Sequence, residues 1–259
     1  MLFLGRRDAG PGWLRWDMLT GPAPFGREMA GGVMLCLAGG VPGGAAEPDR
    51  NTDLAMAACA AARAAEMRHV FLTSSAAIYG AAPPGGRRLV EEDVPAPLTE
   101  YGRTKLEMER AVASRRGDGL GVTVLRIGNV IGSDALVGAD PDPAVMKGLD
   151  PVAGGVGPVR SYIGPGRLSR VLEALVDLAL AGQALPEVLN IAAVQPVAMG
   201  ALLDAAGLRW RANPPNPAVI PVVALDTGRL EALLPGLAGD GSAQDLVADW
   251  QDWQRRRAA

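Results

Sequence analysis

Histidine is nearly absent from this chain, which holds only His69 among 259 residues. Serine hydrolases and most metalloenzymes need histidine as base or ligand, so both classes lose their usual groups, and no metal site is expected. His69 stands just before an apolar stretch and reads as a strand-edge residue. Cysteine is almost as scarce. Cys36 lies in an apolar segment and Cys59 in an alanine-rich one, without CxxC spacing. That argues against a disulfide framework or a zinc site and fits a reducing cytoplasm. Long apolar runs are missing too. The longest near-continuous one, Val33 to Val41, is far too short to cross a bilayer. The order of the first residues, Met1 to Leu4 and then Arg6 and Arg7, is the reverse of a secretory signal. A net charge of −3 gives no electrostatic case for nucleic acid or an anionic membrane as partner. The arginines at 255–257 read as a short solvated tail.

What the chain does have is apolar content, 49% of its residues, enough to bury a sizeable core in one large domain or two intertwined ones. Strands and helices alternate along it. Strands are expected at 2–4, 13–19 and 33–40, the last running into a glycine-rich loop from Gly39 to Gly44. An alanine-rich helix follows to about Met67, then a strand at 70–75 and a proline-rich loop. A helix is expected at 100–116, and one continuous buried strand at 122–132. From 133 to 166 the composition shifts to Gly, Pro and Asp, which predicts a long irregular binding loop or disordered segment. Helices at 168–180, 199–206 and 244–254 and a strand at 188–192 complete an α/β pattern with a mostly parallel sheet.

The chemistry concentrates between Val70 and Lys105. An apolar strand ends on Ser74 and Ser75, and Tyr101 follows Ser75 by 26 residues, four before Lys105. That spacing puts phenol and ammonium on one helix face, one turn apart. A hydroxyl delivered by a strand tip toward such a pair points to proton transfer to or from an alcohol or ketone. Taken alone, Tyr101 and Lys105 also read as an ordinary amphipathic pair, and the serines as a strand terminus.

The blocks VMLCLAGG, Asn51, VFLTSSAAIYG, YGRTK, LRIGNVIG, RSYIG, VLNIA and LDTGRLEALL occur in this order from Leu2 to about Trp253. In these blocks the sequence resembles the extended short-chain dehydrogenase/reductase family, of the NAD-dependent epimerase/dehydratase type. The resemblance implies a Rossmann-like, doubly wound core over 1–132 and 166–192, with a substrate-binding lobe from 133–165 and 193–259. It makes Ser75 the catalytic hydroxyl, Tyr101 the general acid/base and Lys105 its partner. The physics agrees, because a phenol with a reference pKa near 10 serves as base near neutrality only if a neighbouring cation stabilises its phenolate. Cofactor contacts are implied for Arg6, Arg7, Asp17, Ala38, Gly39 and Ser74, besides Tyr101 and Lys105. Arg6 and Arg7 would suit a 2′-phosphate, tilting the choice between NAD and NADP slightly to NADP, and they also read as two solvated arginines. Substrate contacts are implied for Asn129, Arg160 and Tyr162. Asn51 and Asn129 match family asparagines and equally read as structural caps. The family often dimerises through helices corresponding to 51–67 and 100–116, so a homodimer is expected.

Two departures matter. The family opens with a strand and a GxxGxxG turn that seats the pyrophosphate on a helix N-terminus, and no such turn is found here. Three explanations stand open: a longer natural chain, a sheet that closes up with weakened cofactor binding, or a partner chain that completes it. Further on, Ser161, Gly164 and Arg167 replace the family's common Asp, His and Asp. The expectation is therefore an NAD(P)-dependent oxidoreductase or epimerase/dehydratase-like enzyme moving hydride at a carbinol carbon of a small or sugar-derived substrate. The alternative is a non-catalytic Rossmann-fold binding or regulatory protein that has lost the phosphate-binding loop. A hydrolase using Ser74 or Ser75 would need His69 within hydrogen-bonding reach.

Overall fold

The structure, a computed structural model, describes residues 3–6, 13–40, 50–82, 86–114, 119–138, 141–152 and 155–258. The elements run β1 (Phe3–Gly5), β2 (Trp13–Arg15), β3 (Val33–Cys36), α1 (Arg50–Ala64), β4 (His69–Ser75), α2 (Glu100–Ala113) and β5 (Gly121–Ile127). Then come β6 (Asn129–Val130), β7 (Lys147–Leu149), β8 (Val159–Arg160), β9 (Tyr162–Ile163), α3 (Pro165–Leu180) and β10 (Val188–Ile191). The chain closes with β11 (Val197–Ala198), α4 (Met199–Ala205), β12 (Trp210–Ala212), β13 (Val222–Val223), α5 (Gly228–Leu233) and α6 (Ala243–Ala258). They form two compact units. One comprises Met1–Ser74, Arg103–Leu125 and Val176–Glu187; the other Ser75–Gly102, Arg126–Leu175 and Val188–Ala259.

In the first unit β4 lies between β5 and β3, and β3 pairs with β4 in parallel from Val33↔His69 to Cys36↔Leu72. Continuous apolar residues on β4 are what a strand covered on both faces requires. Ala58 and Ala62 of α1, with Met108 and Val112 of α2, pack with Val70, Leu72 and Val124 of the strands. β1 and β2 make a separate parallel pair, Phe3↔Trp13 to Gly5↔Arg15. The strand expected to reach residue 19 stops at Arg15, because the Asp17 carbonyl accepts from the Gly21 amide at 2.9 Å and turns the chain.

Helix α1 ends in a Schellman motif, with the Met67 amide donating to the Ala62 carbonyl at 2.9 Å and the Glu66 amide to Arg63 at 3.0 Å. Its left-handed residue is Glu66, at φ 55°, where glycine is the usual occupant. Glu66→Gly should relieve about 1 kcal/mol of backbone strain, against an exposed Arg27–Glu66 pair worth less than about 1 kcal/mol. A rise in Tm of about 1–3 °C is expected by calorimetry.

In the second unit, the run expected as one strand at 122–132 breaks at Gly128, and β6 leaves to pair in parallel with β9. The segment from 133 to 166, expected to be irregular, supplies short strands to partners far along the chain. Strand β7 pairs with β12, while β8 pairs with β13 in parallel and with β11 in antiparallel fashion. Ile131, Leu149, Tyr162, Leu202, Leu203, Leu246 and Trp250 form this unit's core.

Candidate active site

Strand β4 delivers its last residue, Ser75, in extended conformation to a one-turn 3-10 helix over Ala76–Ile78. The Ser75 hydroxyl accepts the Ala77 amide at 3.2 Å and caps that turn. Helix α2 begins just before Tyr101, with Thr99 as its cap: the Thr99 hydroxyl accepts from the Gly102 amide at 3.1 Å. The two half-buried groups meet, Ser75 and Tyr101 sharing a side-chain hydrogen bond. Burial pushes the Tyr101 phenol above its ordinary value, and the bond to Ser75 pulls it back.

One turn further along α2, Lys105 is buried and donates from Nζ to the Thr73 carbonyl at 3.0 Å. Burial lowers its pKa to about 8, against the opposing pull of Cys36 and Glu109. Asn51, buried at the start of α1, ties this region to the loop after β3: its Oδ1 accepts from the Gly40 amide at 2.8 Å and its Nδ2 donates to Thr104 Oγ1 at 3.0 Å. A Cβ at Gly39 would lie 2.8 Å from Lys105 Nζ and 3.1 Å from Asn51 Oδ1. The bare glycine therefore leaves room over the ammonium that any side chain would fill.

The other sequence-predicted residues sit differently. Ser74 is buried and spends its hydroxyl on Glu109 Oε1 at 2.5 Å, which makes it a packing group inside the unit. Arg6 and Ala38 are exposed, and Arg7 lies outside the described residues. Asp17 uses a carboxylate oxygen on the Leu19 amide at 3.2 Å, within its own turn. Arg160 directs its guanidinium to the carbonyls of Val159 at 2.8 Å and Ile220 at 2.7 Å. Tyr162 is wholly buried, donates to Asp134 Oδ2 at 2.7 Å and shares a hydrogen bond with Asn129. As placed, its ring offers no surface to a substrate, and it anchors the Asp134 turn beside Asn129 instead. His69 opens β4, whose far end carries Ser74, about 16 Å away at the usual strand rise. Its Nε2 is 3.0 Å from Thr123 Oγ1, and burial takes its pKa down to about 4. A histidine-activated serine is thereby excluded. Cys36 and Cys59 are buried and not disulfide-bonded. Among the described residues no cluster of acidic, histidine or cysteine side chains could hold a metal, and no helix is long and apolar enough to cross a membrane.

Comparison with known proteins finds likenesses in sequence and in fold. The sequence model of the NAD dependent epimerase/dehydratase family matches residues 29–148, the stretch that carries Asn51, Ser75, Tyr101 and Lys105. The match spans 120 of the 259 residues, a likeness to this family over just under half of the chain. No curated protein matches it. Among solved structures, the UDP-glucose-4-epimerase of Stenotrophomonas maltophila, with bound NAD and formylated UDP-arabinopyranose, aligns with a TM-score of 0.74 at 22% identity, covering 96% of this chain and 84% of its own. The UDP-glucose 4-epimerase of Thermus thermophilus, in complex with NAD, gives 0.68 at 20%, covering 95% and 86%. The dTDP-glucose 4,6-dehydratase of Streptomyces venezuelae, also with NAD, gives 0.65 at 19%, covering 95% and 81%. At these identities the likeness establishes the fold: a mixed α/β, Rossmann-like architecture with mostly parallel strand pairs.

In the first unit the open space over Gly39 adjoins the Lys105 ammonium, and in the second unit Ser75 and Tyr101 share their hydrogen bond. Strand β9 passes through Gly164 straight into α3, the local shape that seats a phosphate. Yet the Asp249 carboxylate already occupies that helix end, accepting from the Gly166 amide at 2.8 Å and the Arg167 amide at 3.1 Å. The departures from the family pattern have structural uses here. Ser161 Oγ accepts the Leu225 amide at 2.8 Å, and Arg167 pairs with Asp245 at 2.5 Å. Sequence reasoning missed Glu109, the partner of Ser74, and Arg126, a buried cation near the end of apolar strand β5. The second had a signal, since a charge inside a buried run demands partners.

Proposed function

We propose that the chain is an NAD-dependent enzyme that removes and returns hydrogen at a carbinol carbon of a sugar nucleotide, in an epimerisation or dehydration. The hydrogen bond between Ser75 and Tyr101, with Lys105 one turn on along α2, is the observation that carries this reading. Tyr101 takes the proton from the substrate hydroxyl and gives it back when a carbonyl is reduced. Lys105, protonated below about pH 8, is the cation to which the family resemblance assigns stabilisation of the Tyr101 phenolate. Ser75 donates to the substrate oxygen and holds it against the phenol. Bound NAD supplies the hydride acceptor and donor. NAD is preferred to NADP because the compared structures hold NAD. The sugar-nucleotide class rests on the ligands of those structures, UDP-arabinopyranose being one.

A second reading is a Rossmann-fold binding protein without catalysis, since no GxxGxxG phosphate-binding turn is found in the sequence. Titration calorimetry with NAD+ and NADH separates the two. Binding at micromolar to submillimolar concentration, with conversion of UDP-glucose or dTDP-glucose seen by chromatography, is expected of the enzyme. No heat with either nucleotide at millimolar concentration, and no conversion, would overturn the enzymatic reading.

A further inference from the structure

The Ser75 turn is held by a buried polar clamp two elements away from any reacting group. At the far end of the turn, Tyr79 is 2% exposed and its amide donates to the Ala76 carbonyl at 3.1 Å. Its hydroxyl donates to Asn190 Oδ1 at 2.8 Å and accepts from Arg126 Nη1 at 2.8 Å. Arg126 also donates to the Glu91 carbonyl at 3.0 Å, and its guanidinium lies 4.9 Å over the Tyr79 ring. Asn190, fully buried on β10, donates its amide to Glu91 Oε1 at 2.9 Å and its Nδ2 to the carbonyls of Leu89 and Asp226, each at 3.0 Å. The Tyr79 hydroxyl thus both donates and accepts, in a setting where burial leaves little slack.

The near side of the same turn carries α2. A Cβ on Gly102 would come within 2.5 Å of the Ala77 carbonyl and 3.0 Å of Pro97 Cβ, so the helix start rests directly on the turn's backbone. Gly102 adjoins Tyr101. Any movement of the turn therefore shifts the Ser75 hydroxyl and the base of the Tyr101 helix against each other.

We propose that Tyr79 is a positioning residue: through Arg126 and Asn190 it fixes the Ser75–Ile78 turn, and through the turn it sets the Ser75–Tyr101 hydrogen bond. The proposal rests on the reading of Tyr101 as the proton-transfer group. Nothing is transferred at Tyr79, whose proton burial retains up to about pH 12.

The chain has only three tyrosines, so their titrations can be read separately. In protein carrying 3-fluorotyrosine, which is more acidic than tyrosine, three fluorine resonances report Tyr79, Tyr101 and Tyr162, and Tyr101→Phe identifies the second. Ser75→Ala is expected to raise the Tyr101 midpoint. Tyr79→Phe should raise it by at least half as much, although Tyr79 does not touch Tyr101. Arg126→Lys, which keeps the cation but loses the guanidinium fork, should raise it by a smaller amount and serves on its own if Tyr79→Phe does not fold. A residue with a merely structural role would lower Tm and leave the midpoint in place. If Ser75→Ala moves the midpoint while the folded clamp variants leave it unchanged, the positioning role is overturned and the proton-transfer reading survives. If Ser75→Ala also leaves it unchanged, the Ser75–Tyr101 hydrogen bond does not set the midpoint and the positioning role is overturned.

Discussion

Tyr101→Phe is expected to lower turnover about 10²–10⁴-fold, the usual contribution of a positioned acid/base, while the Kd for NAD and the fold persist. The substitution removes one oxygen. What it takes away is the proton acceptor and one hydrogen bond to Ser75, a group that keeps the Ala77 amide as partner. Since Tyr101 is only half-buried, the stability loss should stay near the ordinary net value of one hydrogen bond, about 1 kcal/mol. The kinetic signature is a fall in kcat with KM little changed, as for an interaction made in the transition state alone. Steady-state rates on the sugar nucleotide that wild type converts, alongside calorimetric NAD binding, check it. Wild-type turnover in the variant would end the assignment of Tyr101.

Lys105→Met is expected to make the protein inactive and, near neutrality, more stable. Buried Lys105 releases its proton at about 8, whereas an ordinary lysine holds it to 10.5. Between those values the unfolded chain binds more protons than the folded one, so this group makes stability rise with pH. The penalty is complete below pH 8 and gone above 10.5, and the fall from 10.5 to about 8 corresponds to about 3 kcal/mol. Methionine has a similar shape and no charge, but it leaves the Thr73 carbonyl without this donor, at a cost of about 1 kcal/mol. The net gain at pH 7 is therefore about 2 kcal/mol, turning into a small loss at pH 10.5. Urea unfolding of both proteins across this range tests the difference curve, in which other titrating groups cancel. Parallel curves would show that Lys105 carries no buried charge.

How much of this was written in the sequence depends on distance along the chain. The placement of Ser75 at a strand end, and of Tyr101 and Lys105 one turn apart on a helix, was legible because these are local devices, fixed by periodicity over a few residues. Strand β4 and helices α1 and α2 were equally plain, their apolar runs and alanines lying within single windows. The lobe strands β7, β8 and β13 were not. Each has two or three residues and exists only through a partner far away in sequence, so no local pattern marks it. Tyr162 misled for the same reason: its burial against Asp134 is a property of the folded lobe, invisible in the block RSYIG. Asp249 was invisible too, since nothing near it in the chain foretells that it will cap a helix beginning at Pro165.

That last contact has a consequence for biogenesis. The amides at the start of α3 and the apolar faces of Ile131, Leu149 and Tyr162 wait for Asp249, Leu246 and Trp250, all on α6. A ribosome makes those residues long after it has made the surfaces they cover. The lobe must pass part of its synthesis with apolar area uncovered, a vulnerable interval for a nascent chain. Mutations in α6 should accordingly show first as lost soluble yield in the cell, before any change in the chemistry at Tyr101.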